Sequence, residues 1–406
     1  VPGEGEHKIM QFIRELRAAP GYDPNTRHCM YGSDADLIML GLVSHEPHFT
    51  LLREVVDFNA FRRSRGSVVK TAMKKTKEAK FQMLHLSVLR EYIAVELIHP
   101  IPNNASLDLE RVIDDFVFMT FLVGNDFLPH LPALDIGEGA FDRLFEAYRR
   151  LLPTWGEGQY LTDSGQLPHL ERLEALVQII GAQESEMLEA KEKDERSFRN
   201  RRRKFNAAGP TEEELELKDL VAQSEYEAAF AAKLGPDVLA AHVATLGGKK
   251  DYKGRYYYEK LGLLPNDTAV LQRLLRSYVE GLLWCLAYYY RGCVSWSWFY
   301  PFHYGPFLSD LKGLSRFVDG DGAVDVTEFF DQGAPLLPFQ QLLCCLPPAS
   351  ARLLPRCYGQ LMTSAASPVK EFYPEDFEVD MNGKRNPWEG VNLLPFLDVA
   401  RVQATA

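Results

Sequence analysis

Acidic side chains occur in three closely spaced motifs that could carry chemistry. Glu4 and Glu6 flank a glycine where a helix is predicted to begin, and a helix N-terminus tolerates clustered negative charge. Asp34 and Asp36 follow a short apolar strand, and Asp126 follows a strongly apolar helix. Because ligands of open α/β sheets bind beyond the carboxyl ends of the strands, the Asp pair is placed for binding. Each motif alone is more typical of a helix cap.

Taken together, five carboxylates in apolar surroundings predict a cation site, because a buried charge is costly unless it is paired or coordinates a metal. Ligand sets made only of oxygen favour Mg²⁺ or Mn²⁺ over zinc. Two such ions, roughly 3.5–4 Å apart, activate water and stabilise the leaving oxygen of a phosphodiester. The acidic motifs therefore indicate nuclease chemistry.

The elements that must position these motifs alternate between helix and strand. Residues 28–31 and 49–52 are predicted to be short apolar strands, and 37–42 an apolar helix between them. Such β-α-β-α alternation favours a parallel sheet flanked by helices. Residues 1–60 are therefore expected to form part of an α/β nuclease core.

The α/β part is predicted to be followed by a basic linker over 61–80 and by a large, mostly α-helical domain over 81–401. The linker holds eight Lys or Arg and one Glu, which is typical of a solvated segment or of a strip beside a nucleic-acid path. Apolar spacing predicts strong helices over 81–96 and 110–123.

Three parts of the helical domain are expected to differ. Residues 81–136 pack on the core and carry Asp126, 184–250 form a charged and partly exposed insertion, and 256–401 form a second region of distinctive motifs. The last part holds the densest aromatic cluster, over 296–304. Such a cluster is typical of a core or interdomain contact, and it is also typical of a platform on which bases stack.

Composition excludes several classes of protein. The 406 residues carry a formal net charge of −11, which argues against nonspecific nucleic-acid binding by the whole surface. The longest apolar and aromatic run, 282–290, is far shorter than the roughly 20 residues that span a bilayer, so no membrane partner is expected. The six cysteines have no C-x-x-C spacing and are expected to be reduced thiols.

Several longer motifs together resemble those of the XRN family of 5′→3′ exoribonucleases. They are VPGEGEHKIM (1–10), YGSDADLIMLGL (31–42), FLVGNDFLPH (121–130), SWSWFYPFHY (295–304), FYPEDF (372–377), DMNGK (380–384) and WEGV (388–391). These motifs follow the family order, and the resemblance covers nearly the whole chain outside the charged insertion.

The resemblance implies an α/β nuclease core joined to a helical domain, with two Mg²⁺ (or Mn²⁺) ions and an ion-activated water as the nucleophile. The family hydrolyses RNA that bears a 5′ monophosphate, processively and to nucleoside 5′-monophosphates, in RNA decay. By this resemblance, the catalytic and metal-binding carboxylates are Glu4, Glu6, Asp34, Asp36 and Asp126.

The resemblance also implies partners and a location. The partners would be single-stranded RNA with a 5′ monophosphate and decapping or RNA-decay factors. One Trp of the family motif stacks on the RNA, and Trp298 is expected in this role ahead of Trp296. The sequence over 23–29, 44–49 and 84–92 looks closer to the cytoplasmic member of the family. A cytoplasmic location is therefore expected, with a nuclear location as the alternative.

The sequence departs from the family pattern in one respect. The upstream half of the family's nuclease domain has no counterpart, and with it two further metal-binding Asp residues and the 5′-phosphate pocket. We therefore expect this polypeptide alone to be a truncated, largely inactive catalytic region. Two alternatives stay open. A catalytically silent RNA-binding scaffold is disfavoured by the intact carboxylates, and a flap-type DNA nuclease is disfavoured by the S-W-S-W and D-x-N-G-K motifs.

Overall fold

The computed structural model describes nine stretches of the chain. They are residues 2–55, 80–102, 104–165, 167–191, 193–194, 211–247, 250–317, 329–384 and 386–406. The predicted basic linker lies outside these residues except for Lys80, and so does the part of the charged insertion over 195–210.

Helices dominate the described chain. Their bounds are α1 (Gly5–Ala18), α2 (Asp36–Val43), α3 (Leu86–Leu97), α4 (Leu109–Thr120), α5 (Ala140–Leu151), α6 (Leu170–Gly181), α7 (Glu212–Leu234), α8 (Pro236–Thr245), α9 (Tyr252–Leu261), α10 (Thr268–Tyr290), α11 (Pro338–Cys345), α12 (Arg356–Thr363) and α13 (Val399–Thr405). The strands are β1 (His28–Tyr31), β2 (Phe49–Glu54), β3 (Phe81–His85), β4 (Thr162–Asp163), β5 (Leu167–Pro168), β6 (Val379–Asp380) and β7 (Val391–Asn392).

The main sheet is mixed, in the order β1-β2-β3. The predicted parallel pairing is confirmed for β1 and β2, with His28 opposite Phe49. Strand β3 runs antiparallel to β2, with Thr50 opposite His85. The prediction of a parallel sheet is therefore wrong for the third strand.

The predicted helix over 81–96 is wrong in its first five residues, which form β3. Phe81 and Met83 are 53% and 56% exposed and alternate with polar Gln82, which is the two-residue period of a strand. Helical burial begins only at Leu86, the first residue of α3. The predicted helix over 110–123 is confirmed, because α4 is continued by a 3₁₀ turn over Phe121–Val123.

One hydrophobic core connects the α/β part with the helices that follow it. It contains Met10 of α1, Leu51 of β2, Val117 of α4 and Leu283 of α10. Burying these apolar side chains together is the main force that holds the elements in place. Smaller cores lie around Met362 and within the charged insertion and the helix after it. In the part of the chain that the structure describes, no helix is long and apolar enough to cross a membrane.

Candidate metal and nucleic-acid site

The first acidic motif places Glu4 against the last turn of α10. Glu4 is the N-cap residue of α1, yet its side chain makes no capping hydrogen bond. Its Oε2 atom instead accepts a hydrogen bond from the Tyr288 hydroxyl at 2.9 Å. His7 is 7% exposed, and its ring stacks on Tyr288 with centroids 3.6 Å apart. The side chain of Glu4 is thus directed to a neighbouring helix rather than to its own.

The second acidic motif begins α2 directly after β1. Asp34 is exposed in the turn, and Asp36 is the first residue of the helix. The Oδ1 atom of Asp36 is buried and has no hydrogen-bond partner among the described residues. Because a buried carboxylate oxygen without a partner is costly, this atom is a natural ligand for a cation.

The third acidic motif is a tight loop that presents Asp126. Gly124 has φ +100°, and a Cβ there would lie 2.9 Å from the backbone nitrogen of His130. The next residue, Asn125, accepts hydrogen bonds from the backbone N–H groups of Phe127 and Leu128 at 2.9 and 2.8 Å. The loop is therefore built by a glycine and an asparagine, and Asp126 stands exposed on it.

Electrostatics shows that the three motifs meet. Burial raises the pKa of Glu4, and the charges of Glu6, Asp126 and Asp36 raise it further, against the lowering effect of the Tyr288 hydrogen bond. Burial likewise raises the pKa of Asp36, together with the charges of Glu6, Asp126 and Asp34. Glu6 and Asp126 therefore lie close enough to destabilise the charged forms of both Glu4 and Asp36, and Asp34 lies close enough to do so for Asp36. We call these five residues the carboxylate cluster.

The donor set of the carboxylate cluster fits a hard divalent cation. Its ligand atoms are all oxygens, one of them is buried without a partner, and like charges crowd the site. In the described residues no three His, Cys, Asp or Glu side chains are close enough together to hold one ion. The cluster therefore has the chemistry of a cation site without a coordinating arrangement.

The two tryptophans of the aromatic motif have different surroundings. Trp298 is half-buried and packs against the core, where its ring stacks on Trp284 with centroids 5.3 Å apart and meets the Phe330 ring edge to face. Trp296 instead lies beside the first acidic motif, with its Cη2 atom 3.6 Å from where a Cβ would stand on Gly3.

Trp296 also borders an open groove of about 460 Å³ between α1 and the end of α10. Arg14 and Gln11 line it from α1, and Arg291 lines it from the end of α10. Glu15 of α1 lines the groove as well. Aromatic and positively charged side chains along one groove are of the kind that single-stranded nucleic acid binds by stacking and charge.

Sequence reasoning missed the tyrosines at the end of α10. The Tyr288 hydroxyl binds Glu4, Tyr289 packs edge to face on Phe121 with centroids 5.0 Å apart, and the Tyr290 hydroxyl donates to Asp114. The available signal was the run of three tyrosines in an apolar helix, because buried phenol hydroxyls need hydrogen-bond acceptors.

A small α/β unit with clustered carboxylates is joined to a helical domain, and sequence comparison assigns this arrangement to a family. Residues 1–55 match the profile of the XRN 5′-3′ exonuclease N-terminus, and residues 106–245 and 244–406 match that of the Xrn1 helical domain. The chain therefore belongs to the XRN family.

Named relatives agree with the family assignment. The chain is 41% identical to human 5′-3′ exoribonuclease 1 over 99% of its length, which is 24% of that protein. It is 37% identical to chicken 5′-3′ exoribonuclease 2 over 99% of its length, which is 48% of that protein. The identity to a fruit-fly homologue of exoribonuclease 2 is also 37%. The chain thus spans between about a quarter and a half of these relatives.

Proposed function

We propose that the protein is a 5′→3′ exoribonuclease that hydrolyses RNA with a 5′ monophosphate processively to nucleoside 5′-monophosphates. The proposal concerns the whole protein, since the chain spans at most about half of its named relatives. The observation that carries it is the carboxylate cluster, whose members crowd one another while Asp36 Oδ1 has no partner. Membership of a family whose relatives are named exoribonucleases supports the choice of RNA.

We propose that the carboxylate cluster holds Mg²⁺ (or Mn²⁺). Two bound ions would supply the Lewis-acid chemistry that phosphodiester hydrolysis requires. Asp36 provides the buried oxygen, and Glu4 is oriented by the Tyr288 hydroxyl at 2.9 Å. The loop built by Gly124 and Asn125 holds Asp126 toward the same cluster.

The groove beside Trp296 is the proposed path of the RNA. Its arginines would bind phosphates, and the Trp296 ring would stack on a base, which is favourable for every base because each has a π-face. The expectation that Trp298 stacks on RNA stays a prediction. The contacts of Trp298 with Trp284 and Phe330 favour a packing role, and the open groove favours Trp296 for stacking.

The activity is tested with 3′-labelled RNA that bears either a 5′ monophosphate or a 5′ triphosphate, in the presence of Mg²⁺. We expect rapid loss of the monophosphate RNA alone, and no loss with the Asp34→Ala/Asp36→Ala double variant. RNA that is bound but never degraded would support the silent scaffold instead. Preferential cleavage of a DNA flap would support the flap-type nuclease.

We propose a cytoplasmic location and association with decapping or RNA-decay factors, with the nucleus as the alternative location. The support is the sequence over 23–29, 44–49 and 84–92. Relatives named exoribonuclease 1 and exoribonuclease 2 match at 41% and 37% identity. Microscopy of the tagged whole protein, together with isolation of its complexes, tests both points. Accumulation in the nucleus would contradict the proposed location.

A further inference from the structure

A second group of charged side chains lies beyond the end of α2 that is opposite Asp36, and it belongs to none of the acidic motifs. At its centre is Asp114 of α4, which is only 2% exposed. Asp114 Oδ1 bonds to His45 Nε2 at 2.8 Å and accepts a hydrogen bond from the Tyr290 hydroxyl. On its other side, His45 Nδ1 lies 2.6 Å from Glu110 Oε2, and Glu110 pairs with Arg90.

The partners of Asp114 come from two other helices. His45 lies just beyond the end of α2, and Tyr290 is the last residue of α10. The hydrogen bonds of Asp114 therefore connect α4 with α10 and with the residue beyond the end of α2, at one buried point. A buried carboxylate with one partner removed would be left uncompensated, so each contact constrains the others.

Each of the three helices leads to a different member of the carboxylate cluster. Helix α2 begins at Asp36, α4 runs through the 3₁₀ turn into the loop of Asp126, and α10 carries Tyr288, which binds Glu4. The contacts of Asp114 therefore act on the relative placement of the three acidic motifs through the helices that lead to them.

The contacts of His45 hold its backbone in a strained conformation. His45 has φ +54°, a left-handed conformation that is strained for a residue other than glycine. Both of its ring nitrogens face carboxylates, so the ring is held as a donor on both sides. Such a conformation persists only when surrounding contacts determine it.

We propose that Asp114 is a positioning residue of the nuclease site, which acts through His45 and Tyr290 to set the spacing of the carboxylate cluster for Mg²⁺. This inference rests on the proposed function. It assigns to Asp114 an effect on how tightly the cluster binds the ion, beyond an effect on folding.

The test compares Asp114→Asn with Asp115→Asn in the whole protein. Asp115 is the neighbouring residue of α4 and is equally buried, but its partners Tyr148, Leu161 and Thr162 lie in the helical domain. Two quantities are measured. One is the Mg²⁺ concentration for half-maximal degradation of 5′-monophosphate RNA, and the other is the rise in unfolding temperature that Mg²⁺ produces.

For Asp114→Asn we expect the half-maximal Mg²⁺ concentration to rise by up to about tenfold, the scale on which residues without contact to a ligand change its binding. Tyr290→Phe, which removes only one hydroxyl, should shift it less and in the same direction. Asp115→Asn should lower the unfolding temperature and leave the Mg²⁺ requirement unchanged.

Equal shifts for Asp114→Asn and Asp115→Asn would overturn the positioning role, and so would an unchanged Mg²⁺ requirement in Asp114→Asn. If Asp114→Asn does not fold, the Mg²⁺ requirement of Tyr290→Phe is compared with that of Asp115→Asn. A higher requirement in Tyr290→Phe alone supports the positioning role, and equal requirements overturn it. A wild-type protein that degrades no RNA contradicts the proposed function, whereas the Mg²⁺-induced rise in unfolding temperature still decides the role of Asp114.

Discussion

Acidic side chains in two regions of this molecule have opposite surroundings. Asp115 of α4 is fully buried, and burial raises its pKa to about 7 against the lowering effect of four hydrogen bonds from Tyr148, Leu161 and Thr162. In the carboxylate cluster, burial also raises the pKa values of Glu4 and Asp36, but there the nearby charges raise them further.

The difference separates a carboxylate whose oxygens are satisfied by donors from carboxylates that we propose as cation ligands. A buried acid that is surrounded by donors contributes to the fold through its hydrogen bonds, because its oxygens already have partners. Acids that crowd one another destabilise the fold until a cation or a proton arrives. The neighbours of a carboxylate, more than its burial, therefore indicate what it does.

The largest expected effect is on RNA degradation in Asp36→Asn. Removing the buried ligand oxygen should lower the rate by more than about 100-fold, since even the outer partners of metal ligands contribute 10–100-fold. The measurement is the rate of loss of 5′-monophosphate RNA at saturating Mg²⁺. Asp115→Asn serves as the control. An equal loss of rate in both variants would contradict the different roles assigned to Asp36 and Asp115.

For the free energy of unfolding, the larger effect is expected in Asp115→Asn rather than in Asp36→Asn. Asp115→Asn places an amide against groups that all donate, so the free energy of unfolding should fall by about 1–3 kcal/mol. Urea unfolding without Mg²⁺ measures this change. Asp36→Asn should unfold at the same or a higher urea concentration than the wild type, because it removes like-charge repulsion. A larger loss of stability in Asp36→Asn than in Asp115→Asn would contradict the comparison.

The two tryptophans extend the comparison from acids to aromatic rings. Trp296→Ala should weaken RNA binding by about tenfold, within the 1–3 kcal/mol that base stacking contributes, and change stability little. Trp298→Ala should mainly lower the unfolding temperature, because the ring packs on Trp284 and Phe330. RNA affinity and unfolding temperature are measured for both variants. The reverse pattern would support stacking by Trp298.

Local patterns were sufficient to predict β1, α4 and the pairing of β1 with β2. The members of the carboxylate cluster could also be proposed from the sequence, because Asp36 follows a predicted strand and Asp126 follows a predicted helix. Strand β3 was missed because it is an exposed edge, whose apolar residues do not show helical or core burial.

The tyrosine contacts could not be predicted from local sequence. Tyr288 lies 284 residues from Glu4, and Tyr290 lies 176 residues from Asp114. Such pairs are fixed by the packing of α10 against α1 and α4, which depends on the whole core rather than on any motif. The strained backbone of His45 has the same origin, since its partners come from α4.

A pH dependence is also expected from His45. Burial alone would lower its pKa, but the hydrogen bonds and charges of Asp114 and Glu110 raise it from 6.5 to about 9. Because the folded-state pKa is raised, the stabilisation is complete below pH 6.5 and is lost as the pH rises through about 9. Urea unfolding across this window should show a decline that His45→Gln reduces. An identical decline in the variant would assign it to other groups.

The central claim is that the carboxylate cluster holds a divalent cation, and the most direct test is the unfolding temperature measured during a Mg²⁺ titration. A ligand that binds only the folded state raises that temperature as its concentration increases. We predict a rise for the wild type and for Asp115→Asn, starting from a lower value in the variant, and little or no rise for Asp36→Asn. An equal rise in all three proteins, or none in the wild type, would contradict the claim.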